Sequence, residues 1–230
     1  VRFESNRLKG SQVEQIEGLA VRVVKDGRLG FAATSQMAAA ERVMANALES
    51  AAYGDEVPLV FPEPQPAPQV ATYDAKMAQL GVNELVAMGQ EIVDILRAAD
   101  SEILVSVEVR RGVRQVSIRN QAGTDATALS SPLSFSSEVM RVKGDDVLIS
   151  GHASGSTVWE ADYLAPAQRL AEWLKRALTP ATIRSGRMPV IFAPPALLAL
   201  AIPLMAGLNG KEVYKGASPL GGKLGESLFD

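Results

Sequence analysis

Apolar residues recur along this chain with two periods, and the switches between them mark its elements. Gly18 to Val24 (GLAVRVV) is an apolar run, and RLGFAAT follows from Arg28 across Asp26-Gly27. An Asp-Gly pair between two strand-like runs predicts a hairpin, because the turn demands positive φ. From Met37 to Tyr53 the residues are helix formers, with Thr34-Ser35 offering an N-cap and Gly54 a stop. Ala39, Val43, Ala47 and Leu48 fall on one face, which is expected to pack on the hairpin. Residues 57–70 (VPLVFPEPQPAPQV) hold five prolines, so an extended connector is expected there.

Helical spacing returns at Leu85, Ile92, Ile95, Leu96 and Ala99, which predicts a second helix capped by Asn83 and ending near Asp100. Alternation then takes over. Ile103–Arg111 and Val113–Asn120 surround Gly112 and read as a second hairpin, with Asn120–Gly123 a further turn leading to another strand. Leu133–Lys143 and Val147–Ala153 alternate as well, joined by Gly144-Asp145-Asp146. A sheet of four or more antiparallel strands is therefore expected. A third helix is predicted from Asp162 to Leu178, with Leu164, Leu170, Trp173, Leu174 and Leu178 apolar and Pro166 in its first turn. After a linker from Thr179 to Arg187, Pro189–Phe192 (PVIF) reads as a short buried strand, followed by an apolar helix and a glycine-rich tail. The class predicted is α+β: antiparallel sheets with long packed helices, followed by the start of a second domain.

Composition narrows the function. The net charge is −3, so no basic surplus exists to neutralise phosphates, and direct nucleic-acid binding is disfavoured. The absence of cysteine excludes disulfides, thiolate metal sites and cysteine nucleophiles, and it fits a cytoplasmic protein. The charged, alternating opening VRFESNRLKG is neither a signal nor a transit peptide. Met188–Leu208 is nearly charge-free and long enough to span a membrane, but Pro189, Pro194, Pro195 and Pro203 interrupt it. A buried strand-turn-helix is the expectation, not a membrane span.

Candidate chemistry is sparse. His152, in SGHASGS, is the only histidine, so a zinc site would have to combine it with carboxylates, an uncommon ligand set. It reads as an ordinary half-exposed strand histidine. Ser154-Gly155-Ser156 reads as a turn of small polar residues, since no G-x-S-x-G frame surrounds it. KGASPLGGKLGES carries Gly216, Gly221, Gly222 and Gly225 but lacks P-loop spacing and a Ser or Thr after Lys223. The acidic pairs Asp145-Asp146 and Glu160/Asp162 have local reasons to sit in turns and at helix starts. No catalytic, cofactor-binding or metal-ligating residue is assigned.

Three ordered landmarks carry a family likeness. VRVVKDGRLGFAATSQM (residues 21–37), ILVSVEVRRGVRQVSIRNQAGTDA (103–126) and GRMPVIFAPPALLAL with NGKEVYKGASPLGGKLGESLFD (186–200 and 209–230) resemble segments of the TldD/PmbA family, also known as modulators of DNA gyrase. The resemblance implies a zinc-dependent peptidase system acting on unfolded or short peptides. One subunit type carries a zinc-binding H-E-x-x-x-H helix, and its partner type, TldE or PmbA, lacks it. That helix directly follows the strand corresponding to PVIF. Here the position reads PPALLALAIPLMAG, Pro194 to Gly207, with no His, no Glu and no polar side chain.

The resemblance therefore implies a PmbA/TldE-like, non-catalytic subunit or fragment, inactive alone, with zinc expected only in a TldD-like catalytic partner. Residues 1–186 would be the N-terminal α+β domain and 187–230 the beginning of an incomplete C-terminal domain. The amino end is expected to be clipped, and most of the C-terminal domain to lie beyond Asp230. Expected partners are the TldD-like subunit or further copies of the chain, and a peptide substrate. A binding module acting on a protein such as gyrase, without proteolysis, is the alternative.

Overall fold

The computed structural model describes residues 1–179 and 181–227. Its packing divides into two units, Val1–Pro180 and Ala181–Asp230. In chain order the first contains β1 (Arg2–Glu4), β2 (Arg7–Gly10), β3 (Leu19–Lys25), β4 (Arg28–Thr34), α1 (Ala40–Ser50), α2 (Ala75–Gln79), α3 (Val82–Ala99), β5 (Leu104–Arg111), β6 (Arg114–Arg119), β7 (Asp125–Ser130), β8 (Leu133–Lys143), β9 (Asp146–Ser156) and α4 (Ala165–Ala177). The class is the expected one, helices packed on antiparallel sheets.

The main sheet has the order β2-β1-β5-β8-β9 and is antiparallel throughout. Alternation in β5 turns Val105, Val107 and Val109 into the core, where they meet Leu85, Ile92, Val93 and Leu96 of α3. Leu170, Ala171 and Leu174 of α4 complete that layer. Each fully buried Val, Leu or Ile contributes about 1.5–3 kcal/mol, so this layer is the main source of stability. Gly89 lets α3 settle on the Phe3 ring of β1, which a Cβ there would strike.

The amino terminus is stitched into the sheet. Ser5 and Asn6 both take positive φ, the two-residue turn that closes β1 on β2. Asn6 donates its N–H to Val105 O (2.9 Å) and accepts the Val105 N–H on Oδ1 (2.8 Å). The Val1 amine and carbonyl bond both backbone groups of Val109. With β1 on one side and β8 on the other, β5 has no free edge, so the hairpin expected around Gly112 does not form. Instead β6 pairs with β7 across the Asn120–Gly123 turn as a separate two-stranded arm. Alternation identified the strands but not their partners, because period two is the same whichever neighbour is chosen.

The β3–β4 hairpin forms as predicted, with Asp26 and Gly27 both at positive φ. Helix α1 packs on it through Val43 and Ala47, and Ala51 follows in the turn beyond. Gly30 permits the contact: a Cβ there would overlap the Ala47 carbonyl and stand 2.8 Å from Ala51 N. Ser50 accepts the Phe31 N–H (2.9 Å) on Oγ, tying the helix to the outer edge of β4. Leu48, expected on the packed face, is 44% exposed.

The caps differ from expectation. Thr34 accepts the Gln36 N–H (3.0 Å), but the chain then makes a 3₁₀ turn at Met37–Ala39, and α1 starts without a side-chain cap. Helix α3 starts one residue before Asn83, and Glu84 reaches back to the Gly81 N–H (2.6 Å). Residues 57–70 contain no helix or strand, as their prolines require. Their path follows the β6–β7 arm: Asn120 and Thr124 side chains both donate to Pro62 O (2.8 Å), and Thr72 donates to Leu129 O (2.8 Å).

In the second unit, α5 (Leu198–Gly207) and α6 (Gly210–Tyr214) follow a 3₁₀ turn at Pro194–Leu197. Pro189–Phe192 is neither strand nor buried, with Ile191 96% exposed. A strand needs a paired neighbour, and among the described residues this unit has none. Helix α5 is apolar all round and includes Pro203, so no single stripe selects a face to bury. Among the described residues no helix is long and apolar enough to cross a membrane.

Candidate functional site

The connector ends at Asp74, and one carboxylate there organises the start of the main domain. Its Oδ1 accepts the Lys76 N–H (2.8 Å) and Met77 N–H (3.3 Å), capping α2. Its Oδ2 accepts the Trp159 N–H (2.9 Å), 85 positions away. The fully buried Ser131 accepts the Asp74 N–H on Oγ (2.7 Å) and donates to the Asp74 carbonyl (3.2 Å). The Lys76 ammonium stands 3.7 Å over the Trp159 ring. The Trp159 bond chiefly holds the Asp74 carboxyl below the usual range, helped by the Met77 and Lys76 N–H groups and the Lys76 charge and opposed by desolvation. A carboxylate so occupied is a structural acceptor rather than a free base.

Beside it, Tyr163 stacks on Phe135 (5.4 Å between centroids) and leans on Trp159 (6.0 Å). Its hydroxyl donates to Glu91 of α3. Desolvation, then the Glu91 bond and charge, push the phenol up to about 12, so at neutral pH it is a proton donor and not a nucleophile. A narrow crevice lies beside this ring, lined by Phe135, Ser154, Ser156, Glu160 and Tyr163.

The residues singled out in the sequence stand apart. His152 is half-buried on β9, opposite Ser137, on the helix-bearing face. Asp146 opens the same strand 3.6 Å from Arg141, which also lies 3.4 Å from Asp100. Asp145 is in the turn before β9, and Glu160 and Asp162 precede α4. Among the described residues no three His, Cys, Asp or Glu side chains gather where a metal could be held. In the glycine-rich tail, Ser218 donates to Gly207 O and accepts the Leu220 N–H (3.0 Å), closing a turn on the end of α5.

Ser154-Gly155-Ser156 is strand, not turn. β9 pairs with β8 without a shift from Lys143↔Asp146 to Leu133↔Ser156. Its glycines answer to packing: a Cβ on Gly151 would stand 2.8 Å from Ser137 O, and one on Gly155 3.2 Å from Leu133 O. The Gly144-Asp145 turn closes on a bonded pair, so the even-numbered residues of β9 bond β8. Val147, Ile149, Gly151, Ala153 and Gly155 therefore turn N–H and C=O toward the open edge. The same alternation carried across the sheet assigns Val105 and Val109 to β1, which is where their bonds are found.

Asp74 and Ser131 escaped the sequence reading. Asp74 ahead of AKMAQ carried an N-cap signal, obscured by the prolines before it. Ser131 carried none, since only the fold brings it to Asp74.

Comparisons with known proteins agree at both ends of the chain. Residues 1–51 match the model for PmbA/TldA metallopeptidase domain 1, and residues 185–230 that for the PmbA/TldA metallopeptidase C-terminal domain. No curated protein matches. Among solved structures, a Thermotoga maritima protein provisionally described as a modulator of a DNA gyrase is similar at 23% identity and TM-score 0.79, covering 98% of this chain and 52% of its own. TldE from Thermococcus kodakarensis is similar at 19% identity and TM-score 0.77, with the same coverages. The chain thus spans about half the length of these relatives and shares their fold. Matched in order by the family's first and C-terminal domain models, the chain belongs to the PmbA/TldD family.

Proposed function

We propose that this chain is a non-catalytic, PmbA/TldE-like subunit, or part of one, of a TldD/PmbA zinc-dependent peptidase that acts on unfolded or short peptides. The observation that carries the proposal is Pro194–Gly207. Zinc is held by imidazole, thiolate or carboxylate, and this segment offers none of them where the catalytic type has H-E-x-x-x-H. Zinc and the activated water would come from a TldD-like partner. The match of residues 185–230 to the C-terminal domain model supports reading 187–230 as the beginning of that domain. Exposed Leu198, Leu200, Ile202 and Met205 of α5 supply apolar surface for association with that partner or with another copy. A cysteine-free composition fits the cytoplasm.

The description of the Thermotoga maritima relative supports a second reading, a binding module that acts on a protein such as gyrase without proteolysis. Affinity capture of the tagged chain from its own cell extract separates the two. Stoichiometric recovery of an H-E-x-x-x-H paralogue supports the first, and a topoisomerase supports the second. Recovery of neither contradicts both.

A further inference from the structure

Helices α3 and α4 pack against each other above the main sheet and share its core, yet their outer surfaces leave an open groove of about 620 Å³. Its floor is built from short side chains, Ala98 and Ala99 of α3 and Ala165 and Ala171 of α4, with Ile95 beside them. Such residues let another backbone come close, because the distance between packed helices follows the side chains at the contact. The charge around the groove is one-sided. α4 contributes Arg169, Lys175 and Arg176 against a single carboxylate, Glu172, which Lys175 already holds (2.9 Å). On α3, Glu91 accepts the Tyr163 hydroxyl, and Asp94 accepts the Gln90 amide (2.9 Å). The guanidinium groups of Arg169 and Arg176 are exposed, and among the described residues neither has a hydrogen bond or an ion pair. They stand two turns apart in one row, about 10 Å along the helix. In a chain of net charge −3 this row is a local excess of positive charge. Trp173 lines the same groove and is 51% exposed. Trp and Arg are the side chains that most often dominate a binding interface.

We propose that the α3–α4 groove docks an amphipathic helix of a protein partner, one whose apolar ridge is edged by carboxylates two turns apart. A helix laid between two others sets its ridge of side chains into their groove, and here the alanine floor receives it. Ile95 and Trp173 supply apolar contact, and each free guanidinium takes one carboxylate of the partner, with two N–H donors to its two oxygens. A flat bilayer would meet the cationic rim and leave the concave floor unfilled. The same face of a second copy would set Arg169 and Arg176 against their own likeness, and like charges repel. The site shares no residue with Pro194–Gly207, and it goes beyond the proposed function by giving the chain a partner surface of its own.

The test uses the whole chain, and its failure leaves the partnership with a zinc-bearing paralogue untouched. The probe is a fluorescein-labelled peptide, Glu-Leu-Ala-Gln-Leu-Leu-Gln-Glu-Leu-Ala-Gln-Leu-Leu-Gln-Glu, followed by anisotropy. Its leucines share one helical face, and its glutamates recur every second turn along the edge of that face. Saturable binding is expected, weakened roughly tenfold when glutamine replaces the glutamates and lost when proline replaces the central leucine. Reversing both charges, Arg169→Glu with Arg176→Glu, should weaken binding at least roughly tenfold. Ala98→Trp fills the groove without touching a charge and should weaken it by a similar factor. Glu172→Gln removes the one opposing carboxylate and frees Lys175, so binding should tighten roughly threefold, a gain that misfolding cannot mimic. Absence of saturable binding, binding indifferent to the proline, or binding unchanged by both the charge reversal and Ala98→Trp would overturn the proposal. So would pelleting of the chain with vesicles of equal parts phosphatidylglycerol and phosphatidylcholine that Ala98→Trp leaves intact, which would assign the face to a membrane. A concentration-dependent dimer abolished by Ala98→Trp would assign it to a second copy and overturn it too.

Discussion

Gly30→Ala sets two opposed effects against each other. In open space, replacing a strand glycine by alanine stabilises by about 0.4–1 kcal/mol, because the unfolded chain loses freedom. Here the new Cβ overlaps the Ala47 carbonyl and lies 2.8 Å from Ala51 N and 2.9 Å from Ala51 Cβ, so backbone and not a flexible tip must move. Helix α1 would retreat by roughly 1 Å, at a cost typical of overpacking, about 1–3 kcal/mol. Full undocking would expose Val43, Ala47 and Ala51, which sets a ceiling of about 3–5 kcal/mol. A net destabilisation of about 1–2 kcal/mol is expected, confined to the hairpin and helix, because the main core shares none of these residues. Hydrogen exchange should accelerate in residues 19–53 and hold in β5 and α3. Gly10→Ala, whose Cβ meets nothing within 4 Å, is the control and should be neutral or slightly stabilising. Unchanged exchange in α1 with Gly30→Ala would refute the close-packing argument.

Other expectations follow from single contacts. Asp74→Ala should lower the urea midpoint near neutrality; because folding depresses this carboxyl, the advantage of the parent should vanish as pH falls through the carboxylate range, and a gap that persists in strong acid would contradict the assignment. Tyr163 has a raised pKa, so its contribution is fully present below about pH 10 and is lost as pH rises toward about 12; absorbance titration of the parent against Tyr163→Phe checks this. Asp100→Ala leaves the Arg141 guanidinium, about 12% exposed, with only the exposed Asp146 at 3.6 Å, and should cost about 1–3 kcal/mol, most of it recovered when Arg141→Met is added; additive losses in denaturation would refute the pairing. His152→Ala should leave any reconstituted peptidase activity intact, and its loss would reveal a role that the position on β9 does not suggest.

Local signals carried much of the fold. Asp26-Gly27 fixed a hairpin because few other pairs accept two positive φ angles, and the periodicity of residues 85–99 located α3 to within a turn. Partner choice was not legible: nothing in Val113–Asn120 says that β5 is already paired on both sides, one of them by the first residues of the chain. PVIF read as a buried strand because four apolar residues look alike whether or not a neighbour exists to pair with them. The Asp74 latch joins residues 85 positions apart, and only the folded chain shows it.

The central claim is that this chain brings no zinc of its own to peptide hydrolysis. The direct measurement is metal content and casein cleavage of the purified chain, alone and mixed with an H-E-x-x-x-H paralogue. The account predicts no stoichiometric zinc and no cleavage alone, with chelator-sensitive cleavage only in the mixture. One tightly held zinc per chain, with chelator-sensitive cleavage by the chain alone, would contradict it.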